Sequence, residues 1–225
     1  MLKILRQLDT LKLFCIVSVL FLFEIGYTSY LHTYLKISFE ELEQLSTSRQ
    51  SMDTRLNSYI DQCQISQMIN HYNPDLTKEE SGRIAALIVK QAAMLDFDPL
   101  FLASIMITES HCKPQIRSSR GAVGLMQIKL STARYVADLH DYHIEPDLAD
   151  LNDVEHNINL STLYLKHLVN KYDGDVAKSL IAYNIGETSL RRLIRTNTPL
   201  PTRYLEKINR HYKKMKPNAA ISTLN

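Results

Sequence analysis

The sequence predicts an all-α protein with a helical amino-terminal segment. Along its 225 residues, no window shows the sustained alternation of apolar and polar residues that marks a half-buried strand. Ser81–Leu95 instead combines helical spacing of apolar residues with an alanine-rich composition. Asp98-Pro99 is a helix-start signal, and Gly186 is typical of the position just past a helix end.

The composition excludes several classes of protein. Hydrophobic residues make up 45% and charged residues 22% of the chain, which excludes a mostly disordered protein. A net charge of +2 argues against a dedicated nucleic-acid binder. The three cysteines exclude a disulfide-scaffolded miniprotein, and the absence of C-x-x-C and H-E-x-x-H removes the usual zinc signals.

The amino terminus has the pattern of a membrane or export segment. Lys3, Arg6 and Lys12 precede the apolar run Leu13–Phe23, and this order is typical of a secretory signal. The run is shorter than a full membrane span, and Glu24 interrupts its extension. Because no A-x-A-like cleavage site follows, we expect a single-pass signal anchor in the inner membrane. A cleaved signal peptide and a secreted periplasmic protein form the alternative.

A helical spacer is predicted after this segment. An apolar stripe at alternating steps of three and four favours either a short coiled coil or an amphipathic helix packed on the main domain, and the sequence leaves both open. The stripe consists of Leu42, Leu45, Met52, Leu56, Tyr59 and Cys63. The predicted regions are a signal segment at 1–35, the spacer at 36–77, an all-α domain at 78–216 and a flexible tail at 217–225.

Further helices are predicted in the main domain from their capping residues and spacing. One covers Asp98–Ser110, a second begins with Ser131 or Thr132 as its cap, and two more cover Asp153–Asn170 and Asp175–Tyr183. The acid-rich stretch between 138 and 155 lacks calcium-loop spacing and is interpreted as a solvated loop.

A carboxylate interrupts an apolar helix face. Glu109 follows Leu102, Ile105 and Met106 at helical spacing, which places its side chain on the side expected to face the core. A desolvated carboxyl group in a cleft keeps its proton near neutral pH and is suited to general acid catalysis. The alternative is a surface carboxylate paired with Arg117 or Arg120.

Several short motifs follow Glu109-Ser110 in the chain. They are Gly121–Ile128 (GAVGLMQI), Asn157-Ile158, Tyr164-Leu165, Ala182–Gly186 (AYNIG) and Pro201–Leu205 (PTRYL). In order and spacing, these motifs resemble the lytic transglycosylases of the soluble (SLT) type, glycoside hydrolase family 23. The resemblance extends from about residue 80 to about residue 212 and implies a lysozyme-like α domain.

The resemblance also implies an activity and a set of site residues. Glu109 would be the single catalytic acid and base, cleaving the β-1,4 bond between N-acetylmuramic acid and N-acetylglucosamine in peptidoglycan. The product would carry a 1,6-anhydro ring, and no metal or cofactor would take part. The residues implied to contact the glycan are Ser118, Met126, Gln127, Tyr164, Tyr183, Asn184 and Tyr204.

The chain departs from the family pattern at four positions. Ile185 replaces the usual alanine, Glu187 a frequent proline and Ser161 a common glycine, whereas Lys129 stands where an apolar residue is frequent. Lys129 brings a charge to the rim of the expected cleft.

Some alternatives remain open in the sequence. They include a hydrolysing muramidase on the same fold, a non-catalytic glycan-binding module, and a transglycosylase serving a secretion or conjugation apparatus. The basic stretch 191–216 is either a solvated terminal helix or a surface for anionic polymer or lipid. Cys63 and Cys112 are either disulfide-bonded or free.

Overall fold

The computed structural model describes residues 2–142, 147 and 150–216. The predicted flexible tail and the middle of the acid-rich stretch lie outside these residues. Eight α-helices are found in the described part of the chain. They are α1 (Leu2–Tyr72), α2 (Lys78–Leu95), α3 (Pro99–Ser110), α4 (Leu130–Leu139), α5 (Val154–Lys171), α6 (Val176–Ile185), α7 (Glu187–Arg195) and α8 (Arg203–Met215).

The structure adds a small sheet to the predicted helices. The strands β1 (Ala122–Val123) and β2 (Ile128–Lys129) form an antiparallel pair, with Ala122 opposite Lys129 and Val123 opposite Ile128. Strands of two residues are too short to produce a detectable alternation of apolar and polar residues, so they could not be predicted from the sequence.

Side-chain capping explains where α2 and α3 begin. Thr77 and Glu80 form a reciprocal capping box at α2. The Asp98 carboxylate accepts hydrogen bonds from the amides of Leu100 and Phe101 at the start of α3, as its position before Pro99 predicted. The cap predicted for α4 is wrong, because this helix begins at Leu130 and follows Lys129 without a side-chain cap.

The chain consists of two units, Met1–Leu56 and Asn57–Asn225. In the first unit, the stripe residues Leu42, Leu45, Met52 and Leu56 are all exposed. None of the described helices contains an apolar stretch that meets the length and hydropathy needed to cross a membrane.

The second unit contains two hydrophobic clusters. The first is built around α3, whose Leu102, Ile105 and Met106 are fully buried, and it includes Ile65 and Ile69 from the end of α1. The second cluster lies under α4, α5 and α6. Cys63 is half-buried and Cys112 is buried, and both are free thiols in this structure.

Candidate functional site

An open cleft passes over the carboxyl end of α3. Its volume of about 570 Å³ falls within the usual range of small-ligand sites. Polar and aromatic side chains from five helices of the second unit and from the segment between α3 and α4 line it. They are Glu109, Ser118, Arg120, Gln127, Lys129, Ser131, Thr132, Tyr135, Tyr164, Tyr183, Asn184, Glu187, Thr188 and Ser189.

Glu109 lies in the last turn of α3, where the helix meets the cleft. The preceding face residues Leu102, Ile105 and Met106 have no exposed surface, so the helix itself is fixed in the core. His111 adopts the left-handed conformation (φ 51°) and ends the helix two residues after Glu109. Because the helix ends here, the Glu109 carboxylate lines the cleft, although it lies on the same helix face as these apolar residues.

The Glu109 carboxylate is bound by a tyrosine. The hydroxyl of Tyr204, in the first turn of α8, donates a hydrogen bond of 2.5 Å to Glu109 Oε1. Burial raises the pKa of Glu109 to about 7, although the Tyr204 hydrogen bond and the charge of Lys207 act in the opposite direction. The carboxyl group can therefore both donate and accept a proton near neutral pH.

Tyr204 itself remains a hydrogen-bond donor. Burial, followed by the negative charge of Glu109, raises the pKa of its hydroxyl well above the usual value. Tyr204 is buried and does not line the cleft. It can thus orient the carboxyl group without occupying ligand space.

A buried asparagine shapes one wall of the cleft. Asn157 on α5 accepts a hydrogen bond from the Met126 amide (2.9 Å) and donates to the carbonyls of Val123 (2.9 Å) and Leu151 (3.0 Å). Gly124 lies against it with φ +81°, and a Cβ at this position would overlap the Asn157 side-chain amide.

Gln127 closes the same turn. Its backbone has φ 51°, and its side-chain nitrogen donates to the carbonyls of Ile116 (3.1 Å) and Gly124 (2.9 Å). The turn therefore holds Gln127 in a fixed position on the cleft wall, and backbone carbonyls already accept the hydrogen bonds of its side-chain NH2 group.

Two tyrosines stand together beside Glu109. The rings of Tyr164 on α5 and Tyr183 on α6 have centroids 5.7 Å apart. The Tyr183 hydroxyl donates to the Met126 carbonyl at 2.8 Å, and burial, with the charge of Glu109 adding to it, raises the pKa of this hydroxyl. Burial likewise raises the pKa of Tyr164, so both hydroxyls stay protonated.

Three further residues from the sequence prediction have distinct positions. Ser118 lines the cleft, and its hydroxyl accepts a hydrogen bond from the Ala122 amide at 3.0 Å. Asn184 lines the cleft near the end of α6 and is exposed. Met126 is fully buried below the cleft, so its side chain has no surface with which to contact a ligand.

The structure adds a polar cluster that the motifs did not identify as part of the site. Glu187, the first residue of α7, lines the cleft and forms an ion pair with Lys171 on α5. Tyr135 on α4 also lines the cleft, and its hydroxyl lies 3.3 Å from Nε2 of His167. Tyr135 has no motif around it, whereas Glu187 was noticed only as a departure from the family pattern.

No cluster of three or more metal-ligating side chains is found within the ranges that the structure describes. The acid/base groups at the carboxyl end of α3 are the Glu109 carboxyl group and the hydroxyl groups of the tyrosines beside it.

Comparison with known proteins gives matches over this part of the chain. A family model described as the transglycosylase SLT domain matches residues 86–216. The endo-type membrane-bound lytic murein transglycosylase A of Klebsiella pneumoniae is 33% identical over 100 residues, covering 44% of this chain and 49% of the relative. The membrane-bound lytic murein transglycosylase C of Yersinia pestis is 30% identical over 132 residues, covering 55% of this chain and 37% of the relative.

Among solved structures, the 70 kDa soluble lytic transglycosylase of Escherichia coli aligns with a TM-score of 0.49 at 23% identity. That alignment covers 69% of this chain and 28% of the other chain. The chain thus spans about half or less of the length of the relatives described.

Proposed function

The chain belongs to the transglycosylase SLT domain family, and from this premise we propose that it is a peptidoglycan lytic transglycosylase. The proposal rests on one observation above all, which is the Glu109 carboxyl group. It lines an open cleft, is hydrogen-bonded to Tyr204, and has a pKa raised to about 7 by burial. The catalytic domain is proposed to extend over residues 78–216, a range that contains the whole family match.

In the first step of the proposed reaction, protonated Glu109 donates its proton to the oxygen of the glycosidic bond. This bond joins C1 of N-acetylmuramic acid to N-acetylglucosamine, and it breaks as the oxygen takes the proton. The released sugar leaves with a hydroxyl group and the electron pair of the broken bond. C1 of the muramic residue is left electron-deficient, and the acetamido group of the same residue assists there. Glu109 is left ionised, and the Tyr204 hydroxyl stabilises that charge through its 2.5 Å hydrogen bond.

In the second step, the C6 hydroxyl of the same muramic residue attacks C1. Ionised Glu109 takes the proton of that hydroxyl, so a 1,6-anhydro ring forms and Glu109 returns to its protonated state. No water is consumed. An internal nucleophile has a very high effective concentration, which favours this path over attack by water at a site with one free acid.

The ion pair of Glu187 supports a single-acid reaction. Among the residues that the structure describes, Glu187 is the other carboxylate lining the cleft, and it forms an ion pair with Lys171. A general base for water has to be free to accept a proton at the sugar, and the carboxylate in this pair is occupied. The hydrolysing alternative is therefore less favoured by the geometry.

The remaining cleft residues are proposed to bind and orient the glycan. Tyr164 and Tyr183 provide an aromatic and hydroxyl-bearing surface next to Glu109, and Ser118 and Asn184 provide hydrogen-bonding groups on the walls. For Gln127 we propose mainly a positioning role, because backbone carbonyls already accept both hydrogen bonds from its side-chain amide. Met126 is proposed to act through its backbone carbonyl, which fixes the Tyr183 hydroxyl.

We also propose that the amino-terminal segment anchors the protein in the inner membrane, with the catalytic domain in the periplasm. Basic residues precede the apolar run, and the described side chains Phe14, Leu20 and Phe21 are exposed along it. The names of both relatives describe them as membrane-bound. Membrane extraction with carbonate and then with detergent tests this part, and release by carbonate alone would contradict it.

Mass spectrometry of the soluble products from purified peptidoglycan tests the activity. We expect muropeptides that end in 1,6-anhydromuramic acid, which are lighter by one water than the products of hydrolysis. The full chain carrying Glu109→Gln is the matched control and should release them at a rate lower by roughly 10²-fold or more. Reducing ends from the wild type would favour a muramidase, and no release from either protein would favour a binding module.

A further inference from the structure

Three arginines lie on one face of α7, next to the cleft. Arg191, Arg192 and Arg195 follow Thr188 at steps of three, four and seven residues, which places all four on one side of the helix. The three arginines are exposed, and together with Thr188 and Ser189 they line a separate shallow groove. We call these three residues the arginine face.

The arginine face has no carboxylate partner among the residues that the structure describes. The only acid on α7 is Glu187, and Lys171 already pairs with it. Within this face, Arg191 donates a hydrogen bond of 3.5 Å to the hydroxyl of Thr188. Arg192 and Arg195 also lie in the last turn of α7, where positive charge favours the helix dipole. The dipole does not explain Arg191, which precedes that turn.

The groove and the cleft share residues. Thr188 and Ser189 line both, so a ligand in the cleft can extend directly along the arginine face. Arginine is suited to carboxylates, because its planar guanidinium group can donate two parallel hydrogen bonds to them. In peptidoglycan, the muramic residues carry short peptides that contain free carboxylates.

We propose that the arginine face binds the carboxylates of the peptide attached to the glycan in the cleft, so that the enzyme prefers peptide-bearing strands. This inference rests on the proposed function. The continuity of the two grooves favours the peptide of the substrate over a lipid phosphate, since a bound glycan brings its own carboxylates to this end of the cleft.

The test compares two substrates and two variants of the full chain. The substrates are intact peptidoglycan and the same glycan stripped of its peptides by an amidase. The test variant carries Arg191→Gln, Arg192→Gln and Arg195→Gln. The control carries Arg83→Gln, Lys113→Gln and Lys213→Gln, which remove the same charge from exposed positions outside the cleft and the groove. Circular dichroism establishes that both variants fold.

We expect the test variant to show a roughly tenfold higher KM on intact peptidoglycan, because several exposed charge contacts together approach a tenfold change in affinity. Its kcat should be unchanged, as should both constants on stripped glycan, and the control should match the wild type throughout. Equal effects on both substrates, or no effect on either, would overturn the inference.

A third arm measures sedimentation with vesicles containing an anionic lipid. Lost vesicle binding with an unchanged substrate preference would assign the arginine face to lipid and overturn the inference as well. A wild-type protein that cleaves neither substrate would instead contradict the proposed function itself.

Discussion

Glu109 and Glu187 line the same cleft, but their surroundings differ. Glu109 is bound by the hydroxyl of Tyr204, and burial raises its pKa to about 7. Glu187 forms an ion pair with Lys171, and this hydrogen bond raises the pKa of the lysine. Burial lets the Glu109 carboxyl group hold a proton near neutral pH, whereas the ammonium group of Lys171 binds Glu187. The comparison favours different roles for the two acids.

The largest expected effect is a difference in cleavage rate between variants of the two acids. Glu109→Gln removes the proposed proton donor and should lower the rate of glycan cleavage by roughly 10²–10⁴-fold, the usual contribution of general acid–base catalysis. The measurement is the release of soluble muropeptides by the full chain. Glu187→Gln is the matched control, and an equal loss in that variant would remove the distinction between the two carboxylates.

The next largest expected effect is on the free energy of unfolding. Glu109 holds its proton up to about pH 7 in the folded protein but only to its ordinary value of 4.5 when unfolded. The folded state therefore binds more protons between these values, and stability falls as the pH rises through this window. Glu109→Gln should raise the free energy of unfolding at pH 8 by up to about 3 kcal/mol.

Urea denaturation at pH 4 and pH 8 measures this change in stability. The two proteins should be nearly equal at pH 4, because Glu109 is protonated in both the folded and the unfolded state there. A stabilisation by Glu109→Gln that is as large at pH 4 as at pH 8 would show that ionisation is not its cause.

A smaller effect is expected when the Tyr204 hydroxyl is removed. Its hydrogen bond lowers the pKa of Glu109, so Tyr204→Phe should raise that pKa further. The alkaline limb of the rate against pH should move upward by about 1–2 units, since a hydrogen bond to a charged group contributes roughly 1.5–3 kcal/mol. Tyr212→Phe removes the corresponding bond to Asp98 on the same helix and should leave the limb in place.

The smallest effect concerns the paired acid. The side chain of Lys171 is 42% exposed, and partly exposed ion pairs contribute at most about 1 kcal/mol. Glu187→Gln should therefore change the free energy of unfolding by less than about 1 kcal/mol and the cleavage rate by less than about threefold. A large loss of activity at normal stability would instead assign Glu187 a direct part in the reaction.

The sequence predicted the helix that carries Glu109 because the signals are local. Asp98 and Pro99 determine where α3 begins, and the helical period places Glu109 on its apolar face. The hydrogen bond from Tyr204 joins residues 95 positions apart, so it depends on how α3 packs against α8. No local pattern contains that information.

Two other features of the site could not be predicted from the sequence, for different reasons. The ion pair of Glu187 depends on the position of Lys171 on another helix, although the residue itself was visible as a departure from the family pattern. Tyr135 lies on α4, whose start was predicted from the wrong residues because no side chain caps it. The family resemblance therefore identified six of the residues that line the cleft, but it did not assign Tyr135 or Glu187 to the site.

The contact between Gly124 and Asn157 has a consequence for the history and engineering of the cleft. Any side chain at position 124 would overlap the Asn157 amide. A smaller residue at position 157 would remove the hydrogen bonds that the Asn157 side chain makes with the Met126 amide and with the carbonyls of Val123 and Leu151. Neither position can vary alone, so libraries that diversify this wall need to mutate 124 and 157 jointly or leave both untouched.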